Sequence, residues 1–533
     1  MDGNAMQFDL LIINGTVYDG TGAAGVRADV GIDGKRVSAV GDLSAASATR
    51  VIDANGHAVT PGFIDVHSHA DAALLRDGQH ACGIRQGVTT EIIAPDGLTL
   101  APLSHDNYLM YMHYLSGILG YAPEELDMST YATAMSNYHN KTSCNVAMFL
   151  GHGPVRLEAI GGMKDEPLVG DAWDRAERII RESFEQGACG FATGLSYYPN
   201  SYSDTDELVN IMNVVKEYER PLSIHLRNHN TDRGFAGGGV EEAMEVGRRT
   251  GAQIHLEHYR TQPDSAGELD ALMEPVERAK ADGVDVTLET YPYPVGSSFP
   301  QSFFPGWFHE GGPEAMLKLL ADGESREEVI AGIRSGTRGG LSGNVWSSIG
   351  SAANKDIEGM SFNDVAEQWG VSLEEMMCRV MLEEDLNCGF RGAPPASTRV
   401  WQQVEVDIME LMQRPDYMVG SDAIPTGGMV HPRAYGCFPR MIGRLRRRHN
   451  IPLELMVQRL SQNAALRFGL KDRGEIAVGK FADIVVFDSE RITDRATFED
   501  PEQFPEGIPF VVVNGRVAVD HERVTGVLAG EAV

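Results

Sequence analysis

The sequence predicts an α/β protein, a (β/α)8 TIM barrel carrying a small β-sandwich domain formed from both chain termini. Eight short apolar, β-prone runs separated by helical stretches recur between residues 62 and 422. Several of these runs end in His or Asp, and both ends of the chain read as short strands broken by turns.

The first 60 residues supply DLLIINGTVYD, ADVGIDGKRVSAVG and ATRVIDANGHAV, with Asn14-Gly15 and Asp33-Gly34 as hairpin signals. The eight central runs follow: GFIDVHSH (62–69), VTTEIIAPD (88–96), NVAMFLGHG (145–153), GFATGL (190–195), PLSIHL (221–226), AQIHLEH (252–258), DVTLETYPY (285–293) and YMVGSD (417–422). The last gap, about 120 residues, exceeds one helix and its loops. Its Gly-, Ser- and aromatic-rich part around 296–350 is expected to form a lid or insertion. ADIVVFD (482–488) and PFVVVNGRVAV (509–519) return to strand character. Residues 1–60 plus 465–533 are therefore assigned to the small domain and 61–464 to the barrel, a division that suits the length.

Composition narrows the function. The 533 residues are 42% hydrophobic, enough for a large core, and 45 Lys and Arg against 76 Asp and Glu give a net charge of −31. Such a field repels nucleic acid and anionic membranes and favours a small-molecule substrate. The cluster Arg444, Arg446, Arg447, Arg448 and His449 reads as a solvated helix C-terminus. No leader pattern and no apolar run of membrane-spanning length is seen, and the six cysteines form no CxxC pair, so a cytoplasmic location is expected. The sequence carries no signal for an oligomeric state.

His67 and His69, spaced i, i+2 at the end of the first run, leave one face of a strand and can share a metal ion. Asp96, His225, His258 and Asp422 end other runs, on the side where barrel enzymes build their sites. Six ligands suffice for one or two ions, and imidazole with carboxylate suits Zn2+, with manganese, iron or cobalt as alternatives. His255 competes with His258, but an offset of three places only one of them inward, and His258 is nearer the strand end. His152 is a second-layer or substrate contact; His229 is placed in a loop.

HSHAD (67–71), GHGPVR (151–156), GFATGLSYYP (190–199), HLR (225–227), HYR (258–260), ETYPYPVGSS (289–298), GSDAIP (420–425), HPRAYGCFPR (431–440), SQNAALRFGLKDRGEIAVGKFADIVVFD (461–488) and VVVNGRV (511–517) together resemble the N-acyl-D-amino-acid deacylases of the amidohydrolase superfamily. The resemblance implies that His67, His69 and Asp422 surround one metal position and that His225 and His258 serve the other. It also implies a bridging cysteine in a Gly-Asn-Cys-Gly turn, where this chain has Ala94-Pro95-Asp96-Gly97. Asp96 is assigned as the bridge, with Glu91 as the alternative. Arg433 and Arg260, the latter usually lysine in the family, match the substrate-carboxylate site, and Tyr197 and Tyr291 match tyrosines lining it.

The ligand set implies amide hydrolysis by metal-activated water, with Asp422 as general base and then general acid. The expected reaction converts an N-acyl-D-amino acid to a D-amino acid and a carboxylate. The altered bridge keeps open another linear or cyclic amide, such as an imide or hydantoin. A non-catalytic interaction role would call for missing ligands, and all of them are present.

Overall fold

The computed structural model describes residues 6–227, 233–336 and 340–533. Eight parallel strands match the eight central runs: β1 (Phe63–Ser68), β2 (Val88–Ile93), β3 (Asn145–Met148, continued at Leu150–Gly151), β4 (Phe191–Gly194), β5 (Leu222–His225), β6 (Ile254–Leu256), β7 (Val286–Thr290) and β8 (Tyr417–Val419). They are buried almost throughout, as parallel strands covered on both faces by crossover helices must be. The ladder runs β1, β2, β3 and then β3 through β8, and the Phe149 N–H donates to Ile93 O where β3 changes partner. Between β8 and β1 the gap is bridged by Asp422 N–H to His67 O at 2.8 Å and by His69 N–H to Ala423 O at 2.9 Å. The bonds joining the last strand to the first therefore fall at three residues the sequence marks as ligands.

Crossover helices Asp171–Glu185, Thr205–Val215, Gly239–Thr250 and Leu269–Ala281 pack around β3 to β7. The helix Thr205–Val215 starts where it does because the Asp204 carboxylate accepts the Glu207 N–H at 2.9 Å. That cap fixes Glu207, which reaches inward to His152 and Arg156.

Both termini contribute to one nine-stranded sheet, ordered Arg523–Val524, Arg516–Asp520, Phe510–Val513, Ile484–Phe487, Ala58–Pro61, Gln7–Val17, Val26–Asp33 and Arg36–Gly41, with Ser47–Asp53 also paired to Gln7–Val17. It curls back on itself. Val37 N–H donates to Lys480 O, and Ile12, Val30, Ile32, Val59, Ile484, Val486 and Val512 share one apolar cluster. The Asp33-Gly34 signal marks a true hairpin, with Asp33 opposite Arg36. Asn14-Gly15 does not: Gln7–Val17 is one continuous strand whose register shifts between Ile12 and Gly15. A bulge and a hairpin use the same residue chemistry, since Asn14 sits at φ 59°. A Cβ on Gly15 would lie 2.4 Å from Val59 Cγ2, so the neighbouring strand needs glycine there.

Between β7 and β8 the chain builds a small antiparallel sheet from Ser297–Ser298, Cys388–Gly392 and Asn344–Ile349, with helices Pro313–Ala321, Gly323–Gly336, Phe362–Trp369 and Leu373–Glu383. Ser297 pairs with Arg391, which fixes the segment that immediately follows β7. Among the described residues, no helix is long and apolar enough to cross a membrane.

Candidate active site

Six of the sequence-assigned ligands converge at the C-terminal ends of the barrel strands. His67 Nε2 lies 3.4 Å from His69 Nε2 and 3.5 Å from Asp422 Oδ1, and His69 Nε2 lies 3.4 Å from Asp422 Oδ1. Next to this trio, His225 Nδ1, His258 Nε2 and Asp96 Oδ1 are separated by 2.9, 3.6 and 3.9 Å. Asp96 stands between the two groups, with Oδ2 3.5 Å from His69 Nε2 and Oδ1 3.9 Å from His67 Nε2.

Backbone conformation aims several of these side chains. Ala94 and Asp96 have φ of 68° and 58°, His258 36° and Asp422 53°, a left-handed region that non-glycine residues enter only when surrounding structure holds them. The Asp96 turn also requires Gly97, at φ +68°, because a Cβ there would lie 2.5 Å from Ala192 O.

The donors fit a metal. Asp96 Oδ1 is buried without a hydrogen-bond donor, and two imidazole nitrogens face each other at 2.9 Å. A cation satisfies all of these lone pairs together. Burial alone would raise the Asp96 carboxyl, but His225, His69 and His67 around it hold it well below the usual range. Burial likewise opposes ionisation of Asp422, and Arg433 and His67 outweigh it. Burial would lower His69, yet the hydrogen bonds it donates to Asp422 and Asp96 raise it to about 9. Burial, reinforced by the charge of His225, presses His258 down to about 3.

Glu289, on β7, accepts from both His67 Nδ1 (2.9 Å) and the His258 N–H (2.7 Å), locking the His67 ring with Nε2 toward the cluster. Sequence reasoning quoted its motif but gave it no role. Its strand phase, two residues before Tyr291, was the available signal. Glu257 was also passed over. It lies inside the barrel beside Asp96, and burial together with the Asp96 charge raises its carboxyl well above the usual range.

Arg433 begins the helix Arg433–Pro439 after β8. Its Nη2 donates to Asp422 Oδ1 at 2.9 Å and to Ser297 Oγ at 3.1 Å, while Nε and Nη1 are buried with no acceptor. Tyr291 is sandwiched between two guanidinium groups, each 4.6 Å from its ring centroid, those of Arg433 and Arg260. Arg260 donates to Tyr291 OH, Thr261 O and Gln262 Oε1, leaving Nε alone without a partner. Tyr197 faces the His225 ring at 4.9 Å and shares a hydrogen bond with Ser298 Oγ.

One sequence assignment resolves differently, and two rejected rivals are accounted for. His152 touches no substrate space, because both ring nitrogens are engaged, Nδ1 by Thr193 Oγ1 and Nε2 by Glu207. Glu91 is taken by His80 and by the Ser68 hydroxyl, so it is not the bridge. His255 turns away to Thr287 and the Phe468 ring. His229 lies outside the described residues.

Known proteins share this architecture. A family profile described as an amidohydrolase family matches residues 50–139 and 376–519. An N-acyl-D-glutamate deacylase of Alcaligenes xylosoxydans xylosoxydans is 33% identical over 96% of this chain and 93% of its own. A D-aminoacylase from the same organism is 30% identical over 99% of this chain and 98% of its own. The crystal structure of N-acyl-D-glutamate deacylase from Bordetella bronchiseptica, complexed with zinc and a phosphonate mimic of the tetrahedral intermediate, is 28% identical and covers 99% of both chains with a TM-score of 0.81. With relatives of this identity aligned along nearly its whole length and the barrel and its ligand positions in place, the chain belongs to the N-acyl-D-amino-acid deacylases, hydrolases of the amidohydrolase superfamily that act on non-peptide C–N bonds.

Proposed function

We propose that the protein is a zinc-dependent deacylase that hydrolyses the amide bond of N-acyl-D-amino acids. The observation that carries this is the position of Asp422. One carboxylate oxygen sits at once 3.4 Å and 3.5 Å from the two histidines of the first ligand trio and 2.9 Å from a buried guanidinium that still has two unpaired donors. That places the water chemistry and the donors for a substrate carboxylate side by side.

His67, His69 and Asp422 would hold one ion and His225 and His258 the other, with Asp96 between them. When bound, zinc supplies Lewis acidity toward the carbonyl and acidifies water. Asp422 takes a proton from the attacking water and delivers it to the departing nitrogen as the C–N bond breaks, so the amine leaves neutral and the acyl group as a carboxylic acid, whose remaining proton then passes to the amine to give carboxylate and ammonium products. Nε and Nη1 of Arg433 receive the substrate carboxylate. Arg260 orients Tyr291 and adds positive charge behind it. The substrate is a small molecule, and five buried free cysteines support a cytoplasmic setting.

The test is release of amine from paired N-acetyl-D- and N-acetyl-L-amino acids by zinc-loaded protein of measured metal content. Turnover confined to D-forms is expected. Stoichiometric zinc with turnover only of hydantoins or imides would replace the deacylase reading with the cyclic-amide one.

A further inference from the structure

The turn that carries Asp96 has a neighbour that the six-ligand scheme leaves out. Glu257 precedes His258 at the end of β6 and is buried. Its Oε1 is fixed twice, accepting the Ser223 hydroxyl at 2.6 Å and the Asp96 N–H at 3.3 Å. Among the described residues no donor reaches its Oε2, and the Asp96 carboxyl is its side-chain neighbour. Donor atoms of His67, Asp96, Glu257 and His258, one from each, all lie within 4.8 Å of one another. A divalent ion bound at about 2.0–2.2 Å by imidazole and carboxylate holds its donors no more than about 4.4 Å apart, close to the spread of this group.

Building on the two-position reading above, we infer that Glu257 is a further metal ligand, so that the position served by His258 and Asp96 is a two-carboxylate site. The argument is one of bonding. Two buried carboxyls side by side, Asp96 and Glu257, have lost their hydration, and a divalent cation between them satisfies both at once. No described donor side chain meets Oε2, whereas a ligand cluster stands beside it. Glu289, the other carboxylate beneath the cluster, is anchored in the same way and also has an open Oε2, so what singles out Glu257 is its place in the four-donor group, outside which Glu289 lies. Asp96 and Glu257 together give that position two hard oxygen donors.

The test uses the full chain, stripped of metal and titrated with Zn2+ in a metal buffer, with bound zinc counted by mass spectrometry; Co2+ loading is followed by visible absorption. Glu257→Gln keeps the Oε1 acceptor for Ser223 and Asp96 but loses the anionic oxygen. Expected are a zinc affinity at that position weakened about ten- to a hundred-fold and a changed Co2+ spectrum, on the scale seen when metal-site partners are removed. A Gln variant with wild-type zinc affinity and an unchanged Co2+ spectrum overturns the inference. Should that variant fail to fold, Glu257→Asp keeps the charge while shortening its reach; an altered Co2+ spectrum supports the ligand role and an unaltered one refutes it. Asp96→Asn separates the two readings. Zinc lost in Asp96→Asn but kept in Glu257→Gln sinks only the present inference, and zinc kept in both sinks the bridge as well.

Discussion

Replacing Arg433 by Met keeps an apolar, unbranched stem reaching about as far as Nε and removes the guanidinium. Nη2 is committed to Asp422 and Ser297, so the substrate carboxylate has Nε and Nη1, two buried donors without acceptors. A hydrogen bond between charged groups contributes about 1.5–3 kcal/mol, so a bidentate contact is expected to contribute about 3–6 kcal/mol. At 1.36 kcal/mol per decade, kcat/KM should fall by roughly 10² to 10⁴. Arg433 also touches Asp422, so part of any loss arises from the proton-transferring group itself. Measuring kcat/KM for wild type and Arg433→Met on an N-acetyl-D-amino acid and on the same compound with its carboxylate made a carboxamide isolates the contact, because losses through Asp422 appear equally on both substrates. The variant should lose heavily on the acid and little further on the amide. Equal losses on the two, with coupling below about 1 kcal/mol, would refute the carboxylate assignment.

Four further outcomes follow from the geometry. Asp422→Asn should fold and keep zinc at the His225 and His258 position while losing at least about 10²-fold in kcat, as expected for a lost general acid–base group; near wild-type turnover removes the proton-transfer role. Asp96→Cys should shift metal preference toward soft ions, read as a gain in cadmium over zinc in competition binding, and an unchanged ratio speaks against Asp96 as ligand. Glu207 is held at about 2, because burial, which raises it, is outweighed by His152 and Arg156. A depressed carboxylate stabilises the fold above its unfolded pKa near 4.5 and loses that contribution as pH falls toward 2, so Glu207→Gln should cost up to about 3 kcal/mol in urea unfolding at pH 7 and much less at pH 3; a gap independent of pH contradicts the linkage. Gly97→Ala should lower both melting temperature and zinc content, since its Cβ would strike Ala192 O and it sits at φ +68°; an unchanged melting temperature would show that the turn relaxes freely.

The barrel was legible because parallel strands buried on both faces must be written as apolar runs, and each of the eight runs became a strand. The ligands were legible for a related reason. A strand end exposes its last inward residue to the site, so His67, His225 and Asp422 announce themselves by position alone. Asp96 was readable as a departure from a family turn, but its left-handed backbone, which aims the carboxylate, leaves no signature in an Ala-Pro-Asp-Gly string beyond the glycine. His152 misled for the opposite reason. It has the right strand-end position, yet its partner Glu207 comes from a helix beginning 53 residues later, and no local pattern ties the two.

What stayed hidden was everything made by long-range pairing. Ser297 and Ser298 meet Arg433 and Tyr197 because they pair with Arg391 and Phe390, from the far side of an insertion, and that pairing holds the segment after β7 against the site. The same segment supplies Gly296, where an added Cβ would lie 3.0 Å from Tyr291 OH, so the aromatic ring clamped by two guanidinium groups is bounded on that side by bare backbone. The catalytic ligands thus ride on barrel strands whose positions a sequence pattern can fix, while the wall facing the substrate's acid group is set by how the insertion folds back. Substitutions within the insertion should therefore alter which amino acids are accepted more readily than they alter the hydrolysis itself, because they reach the pocket through Ser297 and Ser298 and leave β1, β5 and β8 untouched.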